Sequence, residues 1–365
     1  MKFNRYMMAL ARDSRAESQT DLAAALSVGQ GTISKYESGL SDPPADFVRD
    51  LASHLNYRED FFYEAGRPNW SPPFHYRKRA KLGVKALNKI HAEINIRRIH
   101  VEKLSRSYDR LPSLRIPSID RDEYIGARRR PFSIEEVAAH VRDFWAIPRG
   151  PIANMVELIE DIGGIVIPCD FGSDLIDAMS QRINGMVLFF VNTNFPADRM
   201  RLTLAHELGH MILHTSDFIN DEEMESEADE FAANILLPAD EIKPQLRNKF
   251  EIRQLANLKR HWKVSMAAIA MRADKLNLVS QYQMKMFWVE MSRLGYRKRE
   301  PGEPEKEHPR ILGDMINHHT KRLGYSKDEL SRMLHIFPSE LDAMYGPYTQ
   351  RSTSNERAPH LRLVK

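Results

Sequence analysis

Leu202-Thr203-Leu204-Ala205-His206-Glu207-Leu208-Gly209-His210-Met211-Ile212-Leu213-His214 is the stretch that decides the fold. Its apolar residues recur at helical spacing, so Leu204, Leu208 and Met211 to Leu213 face a core. His206 and His210 are one helical turn apart, about 40° from overlaying on the helix surface, so both imidazoles converge on one ion. Glu207 projects beside them and reaches a water held by the metal rather than the metal itself. That is the H-E-x-x-H arrangement of zinc hydrolases.

A catalytic zinc site needs a third protein ligand and an open position for water. His214, Asp217, Glu222, Glu223, Glu225, Glu227 and Asp229 lie downstream. Residues 225–237 read as a helix ended by Pro238, with an inward stripe of Ala228, Phe231, Ala232, Ile235 and Leu236. Glu227, one turn before Phe231, lies on or beside that stripe. Glu225 and Asp229 lie about 100° or more from it, and His214 drifts by about twice 40° from His206. The expected ligands are therefore His206, His210 and Glu227, holding Zn2+, with Glu207 as the catalytic residue.

Outward from this helix, Gly164 to Pro168 and Gly185 to Val191 are short apolar runs that read as buried strands. Val187 to Asn192 is expected at a sheet edge near the metal helix, where strand addition would hold an extended substrate. Ser133 and Glu136 form a capping box at a helix start. Leu255 to Ala273 has a helix-turn-helix rhythm read as packing. Asp328 to Leu341 repeats that rhythm as an interaction or dimerisation module, and Arg299 to Pro309 reads as a linker.

The N-terminal zone has a second pattern. Gln19 to Leu26 is a short amphipathic helix, Ser27-Val28-Gly29 a turn plugged by Val28, and Gln30 to Ser38 a second helix stopped at Gly39. Such a unit lays its second helix in the DNA major groove. Gln30, Gly31, Thr32, Ser34 and Lys35 would then face bases or phosphates; Gln suits the adenine edge and Lys suits guanine or phosphate. The first 68 residues carry eight basic against ten acidic side chains. Phosphate contacts dominate affinity, so the module needs either a second copy of itself or help from the neighbouring basic zone. Arg77, Lys78, Arg79, Lys81, Lys85, Lys89, Arg97, Arg98 and Arg128 to Arg130 make up that zone.

Composition bounds these readings. The chain of 365 residues has room for two or three domains, and 42% hydrophobic with 28% charged residues describes an ordinary soluble protein. A net charge of +3 does not by itself identify a nucleic-acid binder. One cysteine, Cys169, excludes an intramolecular disulfide and any zinc site built on several thiolates. With no signal-peptide core and no apolar run of bilayer length, the expectation is a cytoplasmic protein without a membrane partner.

Two resemblances sharpen the picture. Thr20-Asp21-Leu22-Ala23, Ile33-Ser34-Lys35-Tyr36-Glu37-Ser38-Gly39, Pro43-Pro44 and Phe47 resemble the XRE, or Cro/C1-type, repressor family. That likeness implies Gln19 as a phosphate contact and Gln30, Thr32 and Lys35 as groove contacts. Gly31 departs from the usual polar side chain there. Ile176 to Ser180, Val191-Asn192, Arg201 to His210 and Glu225-Ser226-Glu227-Ala228-Asp229-Glu230-Phe231-Ala232 through Leu237-Pro238 resemble the ImmA/IrrE family of metallopeptidases. This second likeness implies a gluzincin-like site whose third ligand is Glu227, and a protein substrate of repressor or antitoxin type.

The expected fold is α+β and mostly helical. Residues 1–68 form a five-helix helix-turn-helix bundle, 69–132 a basic helical connector, and 133–282 a gluzincin-like peptidase domain with a small sheet and the H-E-x-x-H helix. Residues 283–365 form a helical C-terminal region of unknown role with a loose tail. The expected partners are a double-stranded DNA operator, the cleaved regulator and a second copy of the chain. A metal domain that senses without proteolysis, and a helix-turn-helix that docks the protein substrate, are the alternative functions.

Overall fold

Side chains that alternate across three short strands set the architecture around which the helices pack. The computed structural model describes residues 2–66, 83–117, 119, 132–214, 221–246 and 250–349. Strands β1 (Gly164–Cys169), β2 (Ala178–Ile183) and β3 (Met186–Asn192) form a sheet in the order β1-β3-β2. β1 runs parallel to β3, pairing Val166 with Phe189, and β2 runs antiparallel to it, pairing Ser180 with Phe189. β3 is therefore central, and the expectation of an edge position for residues 187–192 is corrected. β2 is the edge strand beside the metal helix. Asn184 and Gly185, both at positive φ, make the two-residue turn of the β2–β3 hairpin.

Both faces of the sheet are buried. Val166, Ala178, Val187, Phe189 and Val191 enter the inner core. That core is completed by α6 (Ile134–Phe144), α7 (Met155–Asp161), α8 (Ala197–Leu213), α9 (Asp221–Leu236), α10 (Ala239–Leu246), α11 (Ile252–Trp262), α12 (Met266–Lys275) and α13 (Gln281–Arg293). Residues 255–273 pack into it, as read from the sequence. Ile165, Ile167, Cys169, Met179, Leu188 and Phe190 enter the outer core. Phe189 and Phe190, neighbours in sequence and both fully buried, contribute about 1.5–3 kcal/mol each to opposite cores.

The outer core draws on α14 (Ile311–Asn317), α15 (Lys327–Leu334) and α16 (Pro338–Thr349), so the C-terminal rhythm covers the sheet. The stretch read as a linker is tied down instead. Glu300 accepts from the Met266 and Ala267 N–H groups, Glu303 from that of Ala197, and Glu307 from those of Met155 and Val156. Three carboxylates thus satisfy orphan donors at the N-termini of α12, α8 and α7.

The N-terminal module comprises α1 (Arg5–Ser14), α2 (Gln19–Ala25), α3 (Gln30–Ser38), α4 (Ala45–Leu55) and a 3-10 turn at Glu59–Tyr63. It packs on α5 (Val84–Ser105), the helix described within the basic zone. Arg97 and Arg98 are paired along that helix with Glu93 and Glu102, so they offer no bare cationic face. Arg77, Lys78, Arg79, Lys81, Arg128 to Arg130, Asp217 and the tail after residue 349 lie outside the described residues. No helix among the described residues is long and apolar enough to cross a membrane.

Candidate metal centre and helix-turn-helix face

α8 and α9 pack closely because small residues meet between them. A side-chain carbon on Gly209 would lie 3.2 Å from the Cα of Ala228 and 3.1 Å from the ring of Phe231. This approach brings the N-terminal half of α9 against the two histidines of α8. His206 Nε2 and His210 Nε2 lie 3.0 Å apart. Glu225 Oε2 is 3.6 Å from the first and Glu225 Oε1 is 3.3 Å from the second.

Glu225, not Glu227, therefore completes the cluster with His206 and His210, their ligand atoms all within 4.8 Å of one another. Glu227, expected as third ligand, instead meets His214, its Oε2 3.1 Å from Nε2. Helix geometry gives the reason. Measured from Ala228, which touches α8, Glu225 is about 60° round the helix while Glu227 is about 100° away on the other side. Taking Phe231 as the reference placed the wrong carboxylate inward. The better reference is Ala228, and only its tertiary contact with Gly209 identifies it.

The donor set fits a tetrahedral divalent ion. Bonds of about 2.0–2.1 Å imply nitrogen–nitrogen edges of about 3.3 Å, close to the separations found. Glu225 Oε2 is buried without a hydrogen-bond partner, an atom that an ion would satisfy. Burial opposes charge on Glu225, but its attraction to the neighbouring His206 and His210 rings prevails and holds its carboxyl well below the usual range. For His206, burial likewise opposes the charged ring, while Asp229 and Glu225 raise it to about 9.

Glu207 sits beside the histidines, almost completely buried. Ser180 of β2 donates to its Oε2 at 2.5 Å. Ser180 reaches it because Ala178 and Ser180 alternate onto the inner face of the sheet. Burial pushes the Glu207 carboxyl up to about 7, against the lowering effects of His206 and Ser180. Sequence reading assigned no role to Ser180, and the Asn184-Gly185 turn was the signal that its stretch is a hairpin strand. Asp229, set aside by the same reading, accepts from His206 Nδ1 at 2.9 Å.

In the N-terminal module, a Ser18/Asp21 capping box starts α2, Ser27 takes positive φ in the turn, and Gly39 caps α3 in the left-handed region. Gln30, Gly31 and Lys35 are exposed on α3, while Thr32 and Ser34 are half-buried. Gln30 donates to Gln19 Oε1 at 2.8 Å, and Gln19 donates to Glu37 at 2.7 Å. Arg12 pairs with the same carboxylate, so Gln19 and Gln30 are held in place across the two helices.

Two family models match the chain. One, the IrrE N-terminal-like domain of peptidase family M78, covers residues 159–274, and a helix-turn-helix model covers residues 10–62. No curated protein matches the chain. The chain thus joins an XRE-type helix-turn-helix module to an ImmA/IrrE-type peptidase domain, with the histidine–glutamate cluster inside the latter.

Proposed function

We propose that this chain is a DNA-binding transcription regulator carrying a zinc-dependent endopeptidase, and that the peptidase cleaves a regulatory protein of repressor or antitoxin type. One observation carries the reading: His206, His210 and Glu225 converge while Glu207 lies buried beside them. Two imidazoles and one carboxylate are the donor set of a catalytic zinc site. When bound, zinc brings a water's pKa toward neutrality and polarises a scissile carbonyl.

The chain's own residues supply the proton handling. Glu207, with a pKa of about 7, takes a proton from the attacking water and passes it to the leaving amine. Ser180 holds one of its oxygens, fixing the carboxylate through the transfer. An extended substrate adds to β2, the edge strand on the metal side. The helix-turn-helix reads DNA through Gln30 and Lys35, with Gln19 on a phosphate and Thr32 and Ser34 lining the groove.

The test combines metal analysis with N-terminal proteomics. Wild type is expected to bind one zinc, and His206→Ala and Glu225→Ala none. Glu207→Gln is expected to keep zinc while a new N-terminus in a regulatory protein, present with wild type, disappears. A Glu207→Gln chain with unchanged proteome and unchanged promoter output would mean sensing without proteolysis.

A further inference from the structure

We propose that His214 and Glu227 form a buried relay that fixes the ring of His210, so that the second glutamate of the E-x-E-A stretch acts through a neighbour rather than on the metal. The proposal rests on the metal-centre reading above and deepens it. His210 Nδ1 lies 2.9 Å from His214 Nδ1, and His214 Nε2 lies 3.1 Å from Glu227 Oε2. The side chains of His210 and His214 have no solvent exposure, so no bulk water substitutes for either link.

Hydrogen inventory gives the relay its direction. An ionised carboxylate only accepts, so the proton of neutral His214 sits on Nε2 and points to Glu227. His214 Nδ1 is then a lone pair. A 2.9 Å contact between two ring nitrogens requires one proton, which His210 Nδ1 must supply. With zinc bound, His210 Nε2 is thereby the lone pair that faces His206 Nε2 and Glu225. With zinc bound, His206 is held the same way more directly, through Asp229 on its Nδ1. Each imidazole is thus oriented from behind by a carboxylate, as metal-binding histidines commonly are. His210 uses an intermediary because its Nδ1 faces the next turn of α8, where His214 stands.

The experiment uses the full chain, with zinc as the probe and a chromophoric chelator as competitor. Glu227→Ala and His214→Phe are each expected to lose about 10–100-fold in zinc affinity while still binding one equivalent at saturation. Adding Glu227→Ala to His214→Phe is expected to cost nothing further. His214→Asn is expected to recover part of the loss, because its amide oxygen accepts from His210. Glu227→Ala that abolishes stoichiometric binding, as Glu225→Ala does, would make Glu227 a ligand and overturn the relay; so would unchanged affinity.

A second readout needs no metal. In long-range 15N–1H spectra of the histidine-labelled, zinc-free chain, His214 is expected to carry its proton on Nε2, facing Glu227, and to accept on Nδ1. Loss of this pattern in Glu227→Ala supports the relay, and a wild-type His214 protonated on Nδ1 overturns it. A wild-type chain that binds no zinc removes the proposed function, whereas the spectra still decide the relay.

Discussion

Replacing Gly209 tests whether the contact between α8 and α9 controls the metal centre. An added methyl would stand 3.2 Å from the Ala228 Cα and 3.1 and 3.3 Å from Phe231 Cδ1 and Cβ. The Ala228 atom is backbone and has no rotamer to escape into, so α9 must withdraw by a few tenths of an ångström. Alanine in place of glycine within a helix gains about 0.8–1 kcal/mol. Overpacking a tight core contact costs about 1–3 kcal/mol. The net expectation for Gly209→Ala is a loss of about 1 kcal/mol in urea unfolding, and Gly209→Val, with more bulk and lower helix propensity, should lose more. Because Glu225 lies one turn before Ala228, the same withdrawal separates it from the imidazoles, so zinc affinity should fall in parallel. A Gly209→Ala chain that gains the full propensity term with unaltered zinc affinity would show slack in this interface and refute the reasoning.

Other perturbations probe separate parts of the molecule. Glu300→Ala removes the acceptor of the Met266 and Ala267 N–H groups and one of two carboxylates on buried Lys259, and should cost about 2–4 kcal/mol in stability, read by denaturant titration. A loss under about 0.5 kcal/mol would mean that residues 299–309 are tethered elsewhere. Burial, aided by Arg97 and Lys103, lowers buried His100 to about 3. Its folded pKa lies below the unfolded value, so its contribution is complete above about pH 6.5 and is lost as pH falls toward 3, by about 1.4 kcal/mol per unit. His100→Gln should flatten stability against pH in that window, and parallel wild-type and variant curves would contradict it. Lys35→Ala should reduce the slope of log affinity for DNA against log salt by about 0.9, whereas Gln30→Ala should change sequence preference and leave the slope alone. A helix-turn-helix that serves only to dock protein would show no salt-dependent DNA affinity in either variant.

The elements legible in the sequence are those whose period is strong and local. The metal helix, the helix-turn-helix and the apolar runs that become β1 and β3 all arise from spacing within one segment. The misreadings are tertiary in origin. Glu225 and Glu227 lie on either side of one stripe, and only the identity of the residue touching Gly209 tells them apart. β2 contains Ser180, Gln181 and Arg182 and so lacks an apolar run, although Ser180 is buried against Glu207. The glutamates of 299–309 look like solvated linker residues until the helix N-termini they cap are known. The sheet order is equally nonlocal, because β1 joins β3 on the side away from the hairpin.

α5 lies in the stretch expected as a basic helical connector, but it is a buried helix shared by two cores and it couples the two modules. Ala92, Ile96 and Ile99 line one side and pack into the helix-turn-helix core. Leu87, Ile90, Ile94, Val101 and Leu104 line the opposite side and pack into the outer core of the sheet. With apolar residues on both sides the helix has no single amphipathic stripe, as befits a helix buried between two bodies. Polar ties run across the same junction: Lys103 and His335 both reach Glu64, and Lys85 reaches Asp21. A helix shared by two cores makes the stability of each depend on the other. Ile96→Ala, on the DNA-module side, and Ile94→Ala, on the sheet side, should each cost about 2–5 kcal/mol. Each should also shift the unfolding of both modules together, monitored by the fluorescence of Trp262 in the inner core and by hydrogen exchange in α2 and α3. If Ile96→Ala melts α2 and α3 while the Trp262 transition stays where it was, α5 is a spacer and the two cores unfold independently.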